Sequence, residues 1–508
     1  MAGEKTDSQV TIKAVEPITT PNAYPSNGSK ISPMTSSGEI SSQSRSNKFA
    51  ISAAGIALIS DGYFNNIMTM INVILKEQYP KEYTSATRTR ISNALLAGAI
   101  FGQIIIGITC DYCGRKFAVI TTTLLIIFGG ALATGSAGIT VNGMFWMMTV
   151  ARFIIGFGVG GEYPASSTSA SEAANEHSLK HRGQYFILAT NLPLAFGGPL
   201  AISIFIIVLA IAGFHREHYN KVWRVCFGIG CIFPLAIFYF RIKTLNSTLY
   251  RRGSIKKNVP YLLVLKFYWA KLIGTCGAWF LYDFVTFPNG VFSGTIIASV
   301  ISPEKDDIVL AAAEWNLLLG VIALPGVMVG AYVCDWLGRK NTMMIGFCGY
   351  LIFGLTIGCS YHKITEILPL FIVFYGLMQS FGNLGPGNML GLISSESYAT
   401  SVRGTCYGIS AAVGKVGAVA GTAAFTPIQK NLGDQWTFII AAICGVMGIL
   451  VTSFFVADIT NEDLSIVDGR FERYLRANKW NGQMGEEGLE LPERGGAPEV
   501  KAGESERG

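Results

Sequence analysis

The chain has 508 residues, of which 50% are hydrophobic and only 14% charged, and its formal net charge is +6. Soluble domains carry about 25% charged residues, so a soluble enzyme of this length could not cover its apolar surface, and the scattered positive charge builds no nucleic-acid-binding domain. With 58 glycines, a residue that lets apolar helices approach closely, the composition is that of a polytopic membrane protein.

Residues 1–47 are polar and rich in Ser, Thr and Pro, without an apolar core for a cleaved signal peptide, and are expected to be a disordered cytoplasmic tail. Six apolar stretches follow, near 49–75, 91–110, 117–138, 144–170, 185–212 and 222–240, making an N-terminal bundle over 48–240. A polar stretch with Arg241, Lys243, Arg251 and Arg252 reads as a central cytoplasmic loop, 241–263. Six more stretches lie near 264–299, 309–334, 341–360, 366–394, 404–427 and 434–456, making a second bundle over 264–456, and 457–508 reads as a second cytoplasmic tail. With both tails inside, inner loops and flanks hold roughly 17 Lys and Arg against about 10 outside.

The halves repeat. Asp111-x-x-Gly114-Arg115-Lys116 returns 224 residues later as Asp335-x-x-Gly338-Arg339-Lys340. Glu172 with Arg182-Gly183 returns as Glu396 with Arg403-Gly404. Charges at helix ends around a glycine turn predict two gating clasps on the cytoplasmic side. Arg152, the other basic group inside a first-half span, is expected to be a gating or structural partner of an acid.

Ionisable residues at mid-membrane are functional candidates because their burial costs several kcal/mol. Counted from the charges marking helix ends, Asp61, Glu162, Asp283, Asn383 and Lys415 all lie about 15–20 Å deep, on five different spans. Trp279, Asp283 and Phe287 share one helical face, and Asp61 with Asn65 repeats that spacing. Tyr163 adds a phenol beside Glu162. Three acids facing one lysine would repel an anion, so one or two of them should be protonated as substrate binds, coupling proton and anion uptake. Lys415 is the positive pole for an oxyanion.

Gly107-x-x-x-Asp111-x-x-Gly114-Arg115-Lys116 resembles the loop signature of the major facilitator superfamily, although the second copy has Ala331 in place of the leading glycine. The resemblance implies an all-α membrane protein of twelve transmembrane helices, in two six-helix bundles related by a pseudo-two-fold, rocking around a central site. Gly160-Gly161-Glu162-Tyr163-Pro164, Trp279-x-x-x-Asp283, Asn383-Leu384-Gly385-Pro386 and Gly414-Lys415-Val416-Gly417 are similar to motifs of the phosphate:proton symporter branch. That likeness implies phosphate binding by Tyr163, Trp279, Asp283, Asn383 and Lys415, with proton coupling through Asp61, Glu162 and Asp283.

The sequence departs from that branch at Phe287 (usually Tyr), Gly387 (usually Asn) and Glu162 (usually Asp), and Asn191 is the nearest amide to the expected fifth-span Gln. Fewer phosphate donors and more room suit a phosphodiester, and the pattern resembles the fungal glycerophosphodiester permeases. Proton-coupled uptake of glycerophosphoinositol or glycerophosphocholine at the plasma membrane is therefore expected, by a monomer that needs no cofactor and is not an enzyme. Inorganic phosphate symport is the alternative, followed by a non-transporting nutrient sensor. Gly156-x-Gly158-x-x-Gly161 is read as helix packing rather than dinucleotide binding, and the five histidines suggest no metal site.

Overall fold

The computed structural model describes residues 58–243, 247–255, 258–301 and 308–485. The expected 1–47 tail and the start of the first span lie outside the described residues. The described chain is nearly all helical. Helix α1 covers 58–66 and Met68–Gln78, and α2, α3 and α4 are Ser85–Tyr112, Arg115–Thr134 and Val141–His177. The fifth span, α5, joins Arg182–Ala189 to Asn191–Ile211, and α6 joins Tyr219–Gly230 to Ile232–Lys243. The second half repeats the plan with α7 (Tyr261–Val300), α8 (Ile308–Leu337) and α9 (Arg339–Cys359). It continues with α10 (Leu368–Gly382, a π turn at Asn383–Gly387, then Asn388–Glu396), α11 (Arg403–Leu432) and α12 (Trp436–Phe455).

Ten of these spans are long and apolar enough to cross a membrane by composition alone. The other two are α1, whose start is not described, and α7, a 40-residue helix that carries Lys266, Lys271 and Asp283. Bulky apolar side chains such as Phe101, Phe128, Ile207, Val321 and Phe454 face outward. In water they would be a liability; in lipid they are the expected outer surface.

Within the first half α2 packs along α4, and across the halves α2 packs on α11, α5 on α8 and α1 on α7. Glycine sets these approaches. A Cβ on Gly160 would stand 2.3 Å from the Ala99 carbonyl oxygen, and one on Gly102 would stand 2.0 Å from that of Phe157. The Gly-rich run in α4 is thus a packing stripe, as its apolar setting predicts.

Two stretches read as loop and tail hold more structure than expected. The polar stretch 241–263 contains the end of α6, a short helix Thr248–Gly253 and the start of α7. Beyond α12, helix α13 (Leu464–Ala477) buries Leu464, Val467, Phe471 and Leu475 on one face. Phe471 and Leu475 pack with Tyr268, Tyr398 and Val402 at the ends of α7, α10 and α11. That burial fixes a segment whose other face is mostly polar.

Candidate functional site: a buried lysine between two halves

The two clasps are built by exchange between halves. Each DxxG turn needs its glycine, because Gly114 and Gly338 take φ values of 98° and 90°. Asp111, at the end of α2, accepts hydrogen bonds from the backbone N–H groups of Gly404 (3.0 Å) and Thr405 (2.7 Å), the first turn of α11. Asp335, at the end of α8, does the same for Gly183 (3.1 Å) and Gln184 (2.8 Å) in the first turn of α5. A carboxylate there satisfies free amide hydrogens and meets the positive end of the helix dipole.

The arginines complete each clasp. Arg115 reaches Asp111 at 2.8 Å and Glu172 at 2.9 Å, and Arg403 from the other half reaches Glu172 at 2.9 Å. Its counterpart pairs Arg339 with Asp335 at 2.8 Å and Glu396 at 3.2 Å, and Arg182 crosses over to Glu396 at 2.6 Å. All the expected clasp residues are therefore in place. Arg152 is not one of them: it donates to the Phe64 carbonyl at 3.1 Å and the Ile91 carbonyl at 3.4 Å, and pairs with no acid among the described residues.

At the far end of the spans the halves meet more lightly. Thr69 donates to the Gly290 carbonyl at 2.9 Å, Thr422 bonds Asn93, and the Arg88 guanidinium lies 4.8 Å from the centre of the Phe292 ring. Between these two ends lies a cavity of about 230 Å³. On α7 its lining runs from Trp279 to Ser293, away from the clasp end of that helix.

Lys415 is 3% exposed, and its Nζ donates to Asp283 Oδ2 at 2.8 Å. Phe287, Tyr163 and Trp279 surround the ammonium, with ring centres 4.2, 5.3 and 5.5 Å away. The charge is thus held by one carboxylate and three π faces. Trp279 spends its N–H on Ser394 Oγ at 3.1 Å, so in this state it offers the cavity a wall.

Asn383 and Asn191 also line the cavity, but both amides are engaged. Asn383 donates to the Ala323 carbonyl at 3.0 Å, and Asn191 donates across the halves to the carbonyls of Gly387 at 3.3 Å and Asn388 at 3.2 Å. Gly387 lines the cavity, but the space a side chain would take there is already filled by Tyr282: a Cβ would lie 2.7 Å from the Tyr282 hydroxyl and 3.0 Å from the Gly382 carbonyl oxygen. Tyr282 was not singled out by sequence, being one more aromatic in an aromatic-rich span.

Two expected members lie outside the lining. Glu162 is fully buried and held by Arg241, with Nη1 to Oε2 at 2.8 Å and Nη2 to Oε1, while Thr122 donates to Oε2 at 2.7 Å. Asp61 is also fully buried, and neither of its oxygens has a hydrogen-bond partner among the described residues. The charge count therefore changes. Two acids have their own cations, and among the described residues Asp61 has none.

Matched to known proteins, residues 48–258 and 250–471 fit the family model for sugar (and other) transporters. The chain belongs to that family, within the major facilitator superfamily, and is a membrane transporter rather than an enzyme. It is 61% identical over 435 residues to glycerophosphoinositol permease 1 of Candida albicans, covering 86% of this chain and 83% of that one. It is 54% identical over 440 residues to glycerophosphoinositol transporter 1 of Saccharomyces cerevisiae, covering 86% and 84%. A solved structure of the proton:xylose symporter XylE aligns with a TM-score of 0.68 at 17% identity, over 84% of this chain and 100% of that one, which establishes the shared twelve-helix fold.

Proposed function

We propose that this transporter imports glycerophosphodiesters, glycerophosphoinositol foremost, together with protons, as a plasma-membrane monomer with both termini in the cytoplasm. The names of the two relatives support the substrate. The observation that carries the reading is the 2.8 Å Lys415–Asp283 pair inside the cavity, with an unpaired carboxylate, Asp61, buried behind it.

The cycle preserves charge. With the clasps closed, the cavity faces outward and holds one cation and one anion. An entering phosphodiester, singly negative, competes with Asp283 for the Lys415 ammonium. If Asp283 takes a proton as it lets go, the site holds lysine, substrate and neutral acid, and its net charge is unchanged. Asp61, kept protonated because an isolated charge there would be costly, passes its proton to Asp283 and takes a replacement from outside, and Asp283 releases the proton to the cytoplasm as it rebinds Lys415. Tyr163 supplies a hydroxyl to the phosphate, Phe287 and Trp279 exclude water, and Asn191, Asn383 and Gly387 border the alcohol. The loaded, neutral site permits rocking, and the clasps part to open the cytoplasmic side. The proton gradient drives the cycle without a cofactor.

Growth on glycerophosphoinositol as sole phosphorus source, in cells lacking their own carriers, tests this. Growth should follow expression of the wild type and vanish for Lys415→Ala and Asp283→Asn, with the proteins still in the membrane. Growth on inorganic phosphate but on no diester would move the substrate to phosphate. Binding without accumulated label would mark a sensor.

A further inference from the structure

Beyond the lysine, the cavity holds a group of amides with no assigned role. Asn65 and Asn66 lie four and five residues past Asp61 on α1, about 6–8 Å farther along the axis, and both line the cavity. Asn316 lines it from α8, seven residues and about 10 Å farther out than Ala323, whose carbonyl holds Asn383. Asn66 donates to the Gly62 carbonyl at 2.8 Å, and Asn316 donates to the Ala312 carbonyl at 2.8 Å. A carbonyl can only accept, so these bonds fix the amide orientation and leave each Oδ1, together with the second N–H, open to a partner. Asn65 forms no hydrogen bond among the described residues. Asn316 is only 2% exposed, so its oxygen has few places to find a donor other than the cavity.

The charges and rings argue in the same direction. Among the described residues Asp283 is the sole acid in the lining, and it faces Lys415. The faces of Tyr163, Trp279 and Phe287 are taken by the same ammonium, and Tyr282 is stacked on Tyr350. A quaternary ammonium head group, which needs a carboxylate or free π faces, finds no free carboxylate, and the remaining ring among the described lining residues, Tyr407, packs edge-on against Trp279 with its hydroxyl on Ser167. A head group rich in hydroxyls finds fixed amide groups in the same cavity lining as the phosphate anchor.

We infer that Asn65, Asn66 and Asn316 form a head-group subsite that selects a polyhydroxylated alcohol over a cationic one. The inference rests on the phosphodiester reading above. Lys415 and Asp283 take the part every glycerophosphodiester shares; the amides read what differs. A site built to hydrogen-bond hydroxyls discriminates strongly against an analogue without them, because its own buried groups are then left unpaired.

Uptake of labelled glycerophosphoinositol and of labelled glycerophosphocholine, measured side by side in carrier-deficient cells, tests it. The wild type should show a KM at least tenfold lower for the inositol diester. Asn316→Leu and, separately, Asn65→Ala should raise that KM about tenfold and leave the choline diester unchanged. Asn65 is half-buried, so its variant keeps the test alive should Asn316→Leu fail to reach the membrane. Asn316→Asp, which adds a counter-charge, should improve choline-diester uptake relative to the wild type. A parallel loss of both substrates, or no change in either, overturns the subsite while leaving the transport reading intact. Failure of the wild type to take up any diester overturns both.

Discussion

Arg241 holds both carboxylate oxygens of Glu162 from the end of α6, with Nη1 at 2.8 Å from Oε2. The pair is 3% and 1% exposed. It neutralises an acid that would otherwise sit beside Asp61 and repel its ionised form. Asp61 is thereby left as the odd carboxylate, which gives the site one uncommitted acid rather than three.

Breaking this pair from one side strands a buried charge, which costs about 3–5 kcal/mol. Arg241→Ala should therefore lower the melting temperature of the detergent-solubilised protein sharply. Adding Glu162→Gln to it removes the stranded charge and should recover part of the loss. Equal melting temperatures for single and double variants would count against the pairing.

The clasps make a second expectation. Glu172 accepts from Arg115 and Arg403, and charge-assisted bonds contribute about 1.5–3 kcal/mol each. Glu172→Gln should shift the protein toward the clasp-open state. A cysteine placed at Ser401, 1% exposed with the clasp closed, should then react faster with a membrane-impermeant thiol reagent from the cytoplasmic side. Unchanged labelling would mean that Glu172 does not hold the halves together.

How much of this was legible beforehand depended on whether a residue's partner repeats. The clasps were readable because Asp111 and Arg115 recur as Asp335 and Arg339. Their partners, Glu172 with Arg403 and Glu396 with Arg182, recur too. Depth counting set Asp61, Glu162, Asp283, Asn383 and Lys415 at one level because helices rise uniformly; Asp283, Asn383 and Lys415 line the cavity and Asp61 and Glu162 do not, since depth along an axis does not say which way a side chain faces. Arg241 was hidden in a basic run that looks like a loop, yet its long side chain reaches back into the bundle. α13 carried a signal in its apolar spacing, Leu464, Val467, Phe471 and Leu475, which its polar remainder masked. Ala331, the departure in the second signature, also has a structural meaning. Gly107 must be glycine because a Cβ there would lie 2.6 Å from the Gly404 oxygen, whereas Ala331 is buried with its Cβ accommodated.

Gly387 and Tyr282 give a test of cavity shape. A methyl group at 387 would crowd the Tyr282 hydroxyl at 2.7 Å, and overpacking of this kind costs about 1–3 kcal/mol. Gly387→Ala should cut diester uptake about tenfold, and adding Tyr282→Phe should restore much of it. Absence of rescue would show that the two residues do not share the space.

Lysine and arginine are not equivalent at position 415. A compact ammonium fits among three rings; a planar guanidinium is larger and needs several acceptors. Lys415→Arg should therefore remain inactive in uptake despite keeping the charge. Activity near the wild-type level would mean that charge alone suffices.

Proton coupling is the claim on which the cycle turns, and it has a direct measurement. Purified protein in proteoliposomes is given labelled glycerophosphoinositol and an imposed inward proton gradient. The label should accumulate above its external concentration, faster at lower external pH, and an uncoupler should collapse it; Asp61→Asn should leave at most downhill flux. Accumulation indifferent to the gradient and to position 61 would contradict the account.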